Sequence, residues 1–597
     1  MTDPFKLVFA ALILSYSGTN LRAEIVNPWV TSDADVYYGG PAPCVFSMET
    51  FHSDPVFKDL KPKDFCAKLF DVYYDGRRKN WTDFGNGLTL WAHTGQEPHA
   101  SKDVIELDPV LLLNVFGTGY CGIQSGLLEG IYQSRPGGEP GKPAIEARRW
   151  FLAGIVHSVC DAYWDGQWHY YDIDLGGYAG DASNPVWSVA EVLKDPKGYY
   201  QKTTLRAPYF FKADGNGAWV DKIDPSKSYC FQDNQMLGHE MSFTLRKGET
   251  FTRYFSEQAA GWKEPLSLTS GLELKQKGYC EIVYAPTSAD QKAEALVNDK
   301  GTLIFAVRCP YNITSSKVEA TGKVSCSMDV GRTWQPLGAD GAVAEAVNHW
   351  DYLLKVENGE LKKVTTRGML HPGSLPRVGS KPTNMTVASP ATYRTLTWVL
   401  DLSSADVAAK VAKAEGTVWK AGGPNTLTGG GFEGRGTITI PVQAPQGAKI
   451  VKLSACVLGG ARTTPQANNY LELFIGPAGS AKLVGRTTDC SKWGTQEGSK
   501  VEHWQTNVNG SASFDPTEKA EVKIGINGYG KVIGVRIYVH FVPVNPPVPS
   551  GTLTITHGFD GKTFQKSIPA ADLAKKTVTY QIPTGAKQND FIRIEVK

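Results

Sequence analysis

The spacing of apolar positions along this chain changes character once, near residue 265. Before that point helical and strand periods alternate. Residues 65–74 and 186–193 space their apolar side chains as short helices. After Gly119, the residues Ile123, Leu127, Leu128 and Ile131 fall on one helical face, which predicts a helix that opens near Cys121 and stops before Arg135-Pro136-Gly137-Gly138. Residues 157–164 and 167–172 are aromatic, β-branched runs that flank Asp165-Gly166, a strong signal for a two-residue hairpin turn. From Leu266 onward, strand-length runs such as Leu303-Ile304-Phe305-Ala306-Val307 alternate with Gly, Asn and Pro turns, and helical periodicity nearly vanishes. That pattern predicts β-sandwiches in series.

The fold class expected is therefore multidomain: an α+β domain followed by all-β sandwich domains. A chain of 597 residues exceeds what one hydrophobic core supports, and about three or four domains are expected. Lys6 before the apolar run Leu7 to Leu14, with Leu21-Arg22-Ala23 offering a cleavage site before Glu24, reads as an export signal over 1–23. The run is shorter than the ~20 residues of a membrane span, so the expectation is a secreted, periplasmic or cell-surface protein with no membrane span after signal cleavage. The α+β domain is assigned to 24–265 and a β-sandwich to 266–417. A second sandwich of jelly-roll or carbohydrate-binding type is assigned to 418–545, and a small C-terminal β module to 546–597. The Gly-rich stretch 421–436 and the stiff Asn545-Pro546-Pro547-Val548-Pro549 mark two of these boundaries. Ser327-x-Asp329-x-Gly331-x-Thr333-Trp334 fits an Asp-box, with one degenerate echo at Asp560-Gly561-Lys562-Thr563-Phe564. A propeller repeats its box blade after blade, so this one is read as a hairpin staple in a sandwich.

Lys and Arg number 62 against 60 Asp and Glu, so no overall field draws the protein to nucleic acid. The ten cysteines contain no CxxC pair, and no His/Cys cluster has zinc spacing, so neither metal nor cofactor is expected. Export permits disulfides. Pairing by nearness in sequence would join Cys44 with Cys66, Cys309 with Cys326, Cys456 with Cys490 and Cys230 with Cys280, leaving Cys121 and Cys160; sequence does not fix this connectivity.

The candidate chemistry lies between residues 119 and 172. A cysteine that opens a helix meets unpaired N–H groups and the positive end of the helix dipole, which favour a thiolate and can hold an oxyanion. In the Asp165-Gly166 hairpin Trp164 sits opposite Gln167. Counting outward places His157, Val159 and Asp161 on the same face as Asp172 and Asp174, with Asp172 diagonal to His157 and within its reach. That supplies a base and an orienting carboxylate, with Asp174 as the other carboxylate on that face. Cys160 and His169 fall on the opposite face and are assigned to packing.

The pieces Gly119-Tyr120-Cys121, His157 and Asp165-Gly166-Gln167-Trp168-His169-Tyr170-Tyr171-Asp172 resemble the transglutaminase-like family within the papain-like class. In that family a Gly-x-Cys turn leads into a helix, a His opens a strand, and an Asp lies on the next strand. The resemblance covers about seventy residues. It implies a thiol enzyme with Cys121 as nucleophile, His157 as general base and acid, and Asp172 as the orienting group. The chain departs from the family in Ser158-Val159 after the His and in the insert 136–143. Trp91 and Asn114 are the residues considered for the second oxyanion donor.

Two functions follow. The first is acyl transfer or hydrolysis at a carboxamide or peptide bond, with a peptide or protein as partner. The alternative is a polysaccharide lyase or binding protein on the same fold. There Trp164, Trp168, Tyr170, Tyr171 and Tyr178 would hold an extracellular sugar chain, and the sandwiches would add sugar-binding surfaces.

Overall fold

The computed structural model describes residues 24–34, 36–37, 40–41, 43–79, 108–116, 121–138, 143–173, 177–179, 186–202, 222–231, 237–262, 278–421, 430–463, 469–487, 503–544, 551–573 and 577–597. The expected export segment, the Gly119-Tyr120 turn, Trp91, Asp174, Cys490 and the Pro-rich linker lie outside them.

The architecture is β-rich and multidomain. In the N-terminal part, the helices Pro62–Lys79 and Cys121–Gln133 pack with a four-stranded antiparallel sheet. Its strand order is Gln167–Tyr170, His157–Trp164, Glu146–Leu152, Tyr229–Phe231. The helix at Cys121 buries Ile123, Leu127, Leu128 and Ile131, the face its apolar spacing defines. The hairpin register also follows the sequence: Trp164 pairs with Gln167, and Asp165 and Gly166 take φ of 55° and 77°, both left-handed as a type I′ turn requires.

The sheet buries both faces because its side chains alternate. Cys160, Ala162 and Trp164 join the large core with the two helices, while Trp150, Val159 and Tyr170 pack with Val189, Val192 and Leu193 on the other side.

Two β-sandwich assemblies follow. A seven-stranded sheet runs Asn312–Ala320, Leu361–Leu370, Gly278–Tyr284, Glu249–Tyr254, Asn589–Val596, Thr552–Phe559, Lys562–Pro569. A five-stranded sheet containing Thr302–Arg308 and Asp351–Glu357 shares its core. The seven-stranded sheet crosses the expected boundaries at 265 and 545, because Asn589–Val596 pairs directly with Glu249–Tyr254. The second assembly has its own core, between a six-stranded sheet centred on Ala448–Thr463 and Gly530–Pro543 and a five-stranded one centred on Lys519–Asn527.

The Asp-box residues form a local staple. Asp329 accepts from the Thr333 N–H at 2.8 Å and from its hydroxyl at 2.7 Å, and Gly331 sits at φ 91°. No described helix is long and apolar enough to cross a membrane.

Candidate active site

The site is assembled at one end of the four-stranded sheet, where the N-terminus of the helix Cys121–Gln133 meets the start of the strand His157–Trp164. Arg149, on the neighbouring strand, fixes that helix end. Its guanidinium donates to the Gly122 carbonyl at 2.7 Å and to the Ser125 hydroxyl at 3.1 Å. Cys121 is half-buried, whereas most described cysteines are buried outright.

His157 is 7% exposed, and its Nε2 lies 3.1 Å from Asp172 Oδ2. The same carboxylate oxygen accepts the Tyr170 hydroxyl at 2.5 Å. Asp172 leaves the regular hairpin ladder, which ends at Asp161 and Tyr170, and bridges to Gly177 instead through backbone bonds of 2.8 and 3.0 Å. That bridge fixes the carboxylate, and Tyr170 and His157 approach it from two sides. The Cys121 thiol is near enough to the imidazole to help hold its proton.

Burial alone would push His157 down. The Asp172 carboxylate, through charge and hydrogen bond, and then the Cys121 thiol overcome it and hold the imidazole well above its ordinary value. The raised value favours the protonated ring. The ring is poised to give a proton to a leaving group and to balance negative charge on sulfur.

Below His157 on the same strand, Asp161 is fully buried and holds Arg148 in a fork, with bonds of 2.9 and 3.1 Å. It also accepts from Trp150 Nε1 at 3.3 Å. The Arg148 guanidinium lies 4.0 Å from the Trp168 ring centroid. This fork braces the strand that carries His157.

The structure thus brings Cys121, His157 and Asp172 together, and Cys160 and His169 stand on the other face as expected. Cys160 is buried in the core, and His169 stacks on Trp164 with its ring nitrogens 2.8 Å from the Val186 carbonyl and 3.2 Å from the Trp164 carbonyl.

Two expectations are corrected. Asn114 is not an oxyanion donor: it is fully buried, and its amide hydrogens go to the carbonyls of Val45 at 3.0 Å and Val110 at 2.8 Å. The five aromatics do not line one cleft, because alternation along the hairpin distributes them to both faces. Trp164 and Tyr171 enter the large core, Tyr178 packs on Phe70, Tyr170 turns to Asp172, and Trp168 lies against Arg148.

Sequence reasoning overlooked Tyr170 as a second donor to Asp172 and Arg149 as the anchor of the helix start. Tyr170 was within reach of the pattern, since residues two apart on a strand share a face. Among the described residues no group of three or more His, Cys, Asp and Glu side chains is placed to hold a metal ion.

No protein-family model matches the chain, and no curated protein matches it. Among solved structures, a carbohydrate-binding module that recognises mannan aligns with 11% identity and a TM-score of 0.17, over 25% of this chain and 99% of its own. The Cry4Aa toxin of Bacillus thuringiensis aligns at 10% and 0.16, over 50% of this chain and 52% of its own. PorU of Porphyromonas gingivalis aligns at 9% and 0.17, over 59% and 33%. Likenesses this distant transfer neither fold nor function to this chain.

Proposed function

We propose that this protein is an exported thiol enzyme whose N-terminal region is a transglutaminase-like domain, and that it performs acyl transfer or hydrolysis at a carboxamide or peptide bond. The observation that carries the reading is the buried His157, bonded at 3.1 Å to a buried carboxylate and coupled to a half-buried cysteine at a helix start.

Cys121 Sγ adds to the carbonyl carbon as its proton passes to His157, and the oxygen that becomes negative is held by N–H groups of the helix's first turn. The tetrahedral adduct collapses, the C–N bond breaks, and the leaving amine takes its proton from His157. Water or an amine then attacks the thioester while His157 accepts its proton; the C–S bond breaks, the acyl group leaves, and His157 returns the proton to sulfur to restore the thiol. Asp172, steadied by Tyr170, keeps the ring oriented and compensates its charge through both half-reactions.

The test is a panel of peptide, carboxamide and uronate-polysaccharide substrates, read by product formation and by the intact mass of the protein. The reading expects a covalent acyl adduct on Cys121 with an amide or peptide substrate, and none in Cys121→Ser. Turnover of a polysaccharide by a folded Cys121→Ser variant would instead establish the lyase alternative, which needs no thiol.

A further inference from the structure

Away from the site, two cysteines meet across the first sandwich. Cys280 lies on Gly278–Tyr284 of the seven-stranded sheet, and Cys309 directly follows Thr302–Arg308 of the five-stranded sheet. Both are fully buried, and their sulfurs are 3.5 Å apart, at van der Waals contact.

The surroundings are shaped around the pair. Gly368 is the register partner of Cys280 on the adjacent strand. A Cβ there would stand 2.9 Å from Cys280 Sγ and 3.0 Å from Cys309 Sγ. Any side chain at 368 would push into both sulfurs, so the glycine leaves the space they share. On the other flank Arg253 is the partner of Cys280, 2% exposed, with Nε and one Nη lacking hydrogen-bond partners.

Of the pairings suggested by nearness in sequence, those of Cys44 with Cys66, Cys309 with Cys326 and Cys230 with Cys280 are not formed, and that of Cys456 with Cys490 lies outside the described residues. Cys230 is in a different core beside Trp150, and Cys326 lies opposite Leu354 on another strand of the five-stranded sheet.

We propose that Cys280 and Cys309 form a disulfide that staples the two sheets of the first sandwich when the protein folds in an oxidising compartment. Closing from contact to a bond of about 2.05 Å needs the sulfurs to approach by about 1.5 Å, within reach of small side-chain rotations. The oxidant is a disulfide donor of the glutathione or protein-disulfide class. One cysteine thiolate attacks the donor's S–S bond, displaces one donor thiolate and forms a mixed disulfide. The second cysteine thiolate then attacks the mixed disulfide and releases the other donor thiolate. The pair loses two electrons, the donor gains them, and the two thiol protons pass through solvent to the released thiolates.

The closed sandwich gives a donor no access. Burial also pushes the Cys280 thiol well above its ordinary value, so Cys280 in the closed sandwich holds little thiolate. The bond is therefore made while the sheets are still coming together, with Arg253 supplying positive charge beside the attacking sulfur.

The experiment uses the full chain, exported by a host into an oxidising compartment, denatured in iodoacetamide without reductant and digested with trypsin. Residues 278–292 and 309–317 each lie between tryptic sites and hold one cysteine apiece. The expected result is a single species joining these two peptides that separates on reduction, with neither cysteine alkylated beforehand. Full alkylation of Cys280 and Cys309, or a bond from either to a different cysteine, overturns the proposal.

Discussion

Replacing Asp172 by Asn keeps the shape of the side chain and removes its charge. In the native site one buried carboxylate oxygen receives both His157 Nε2 at 3.1 Å and the Tyr170 hydroxyl at 2.5 Å. Hydrogen bonds to a charged group contribute roughly 1.5–3 kcal/mol and neutral ones about 0.5–1.5 kcal/mol, so the change removes about 1–2 kcal/mol of support for the imidazolium. At 1.36 kcal/mol per pKa unit, that lowers the His157 value by about one unit or somewhat more. Burial, which already opposes the charged ring, then dominates.

Because the His157 value is raised in the folded state, the stability it contributes is fully present below the unfolded value near 6.5 and is lost as pH rises through the folded value. The thermal midpoints of native protein and Asp172→Asn should therefore differ most just below pH 6.5 and converge at alkaline pH. The direct assay is the rate of Cys121 alkylation as a function of pH, which needs no substrate. Its profile in the variant should move by about one pH unit or more, and turnover on a substrate should fall roughly 5- to 30-fold. A folded Asp172→Asn protein whose Cys121 alkylation profile superimposes on the native one would refute the coupling.

Three further outcomes are expected. Tyr170→Phe removes one donor from Asp172 and leaves the His157 bond, so turnover should fall by less than about tenfold, for a loss near 1 kcal/mol, with His157 still titrating above its ordinary range; a loss equal to that of Asp172→Asn would contradict this ranking. Asp161→Ala removes the carboxylate fork that holds the buried Arg148 guanidinium and should cost about 3–5 kcal/mol, read from denaturant midpoints; a change within about 0.5 kcal/mol would show that the fork does not brace the strand. Cleavage within 545–550 should leave the fragment 551–597 bound to the rest of the chain, because Asn589–Val596 pairs with Glu249–Tyr254 and their core is shared; separation of the fragment under native size-exclusion would contradict that packing.

What the sequence disclosed was local. The helix at Cys121 and the Asp165-Gly166 turn are short-range patterns, set by the 3.6-residue spacing of Ile123, Leu127 and Ile131 and by two left-handed turn residues. Both were readable, and from the hairpin register the reach from His157 to Asp172 followed. The many strands after residue 266 were equally legible as a class. The pairing of strands was not, because hydrogen bonding between Glu249–Tyr254 and Asn589–Val596 joins residues more than three hundred positions apart, and neither strand carries a mark of its partner. The proline run near 546 signals stiff chain, yet says nothing about where the following strands return. Asn114 was misjudged for a related reason: the partners that consume its amide include Val45, distant in sequence. The pairing of Cys230 with Cys280 by nearness failed in the same way, since the two lie in different cores.

The central claim, that Cys121 is an activated nucleophile, is tested most directly by site-resolved alkylation of the native protein with limiting iodoacetamide near neutral pH. Cys44 is the internal control: it is also half-buried, and its thiol is pushed up, chiefly by burial. The account predicts that Cys121 is labelled well ahead of Cys44 and the buried cysteines, and that His157→Ala removes that lead. Labelling of Cys121 no faster than that of Cys44, or a lead that survives the loss of His157, would contradict it.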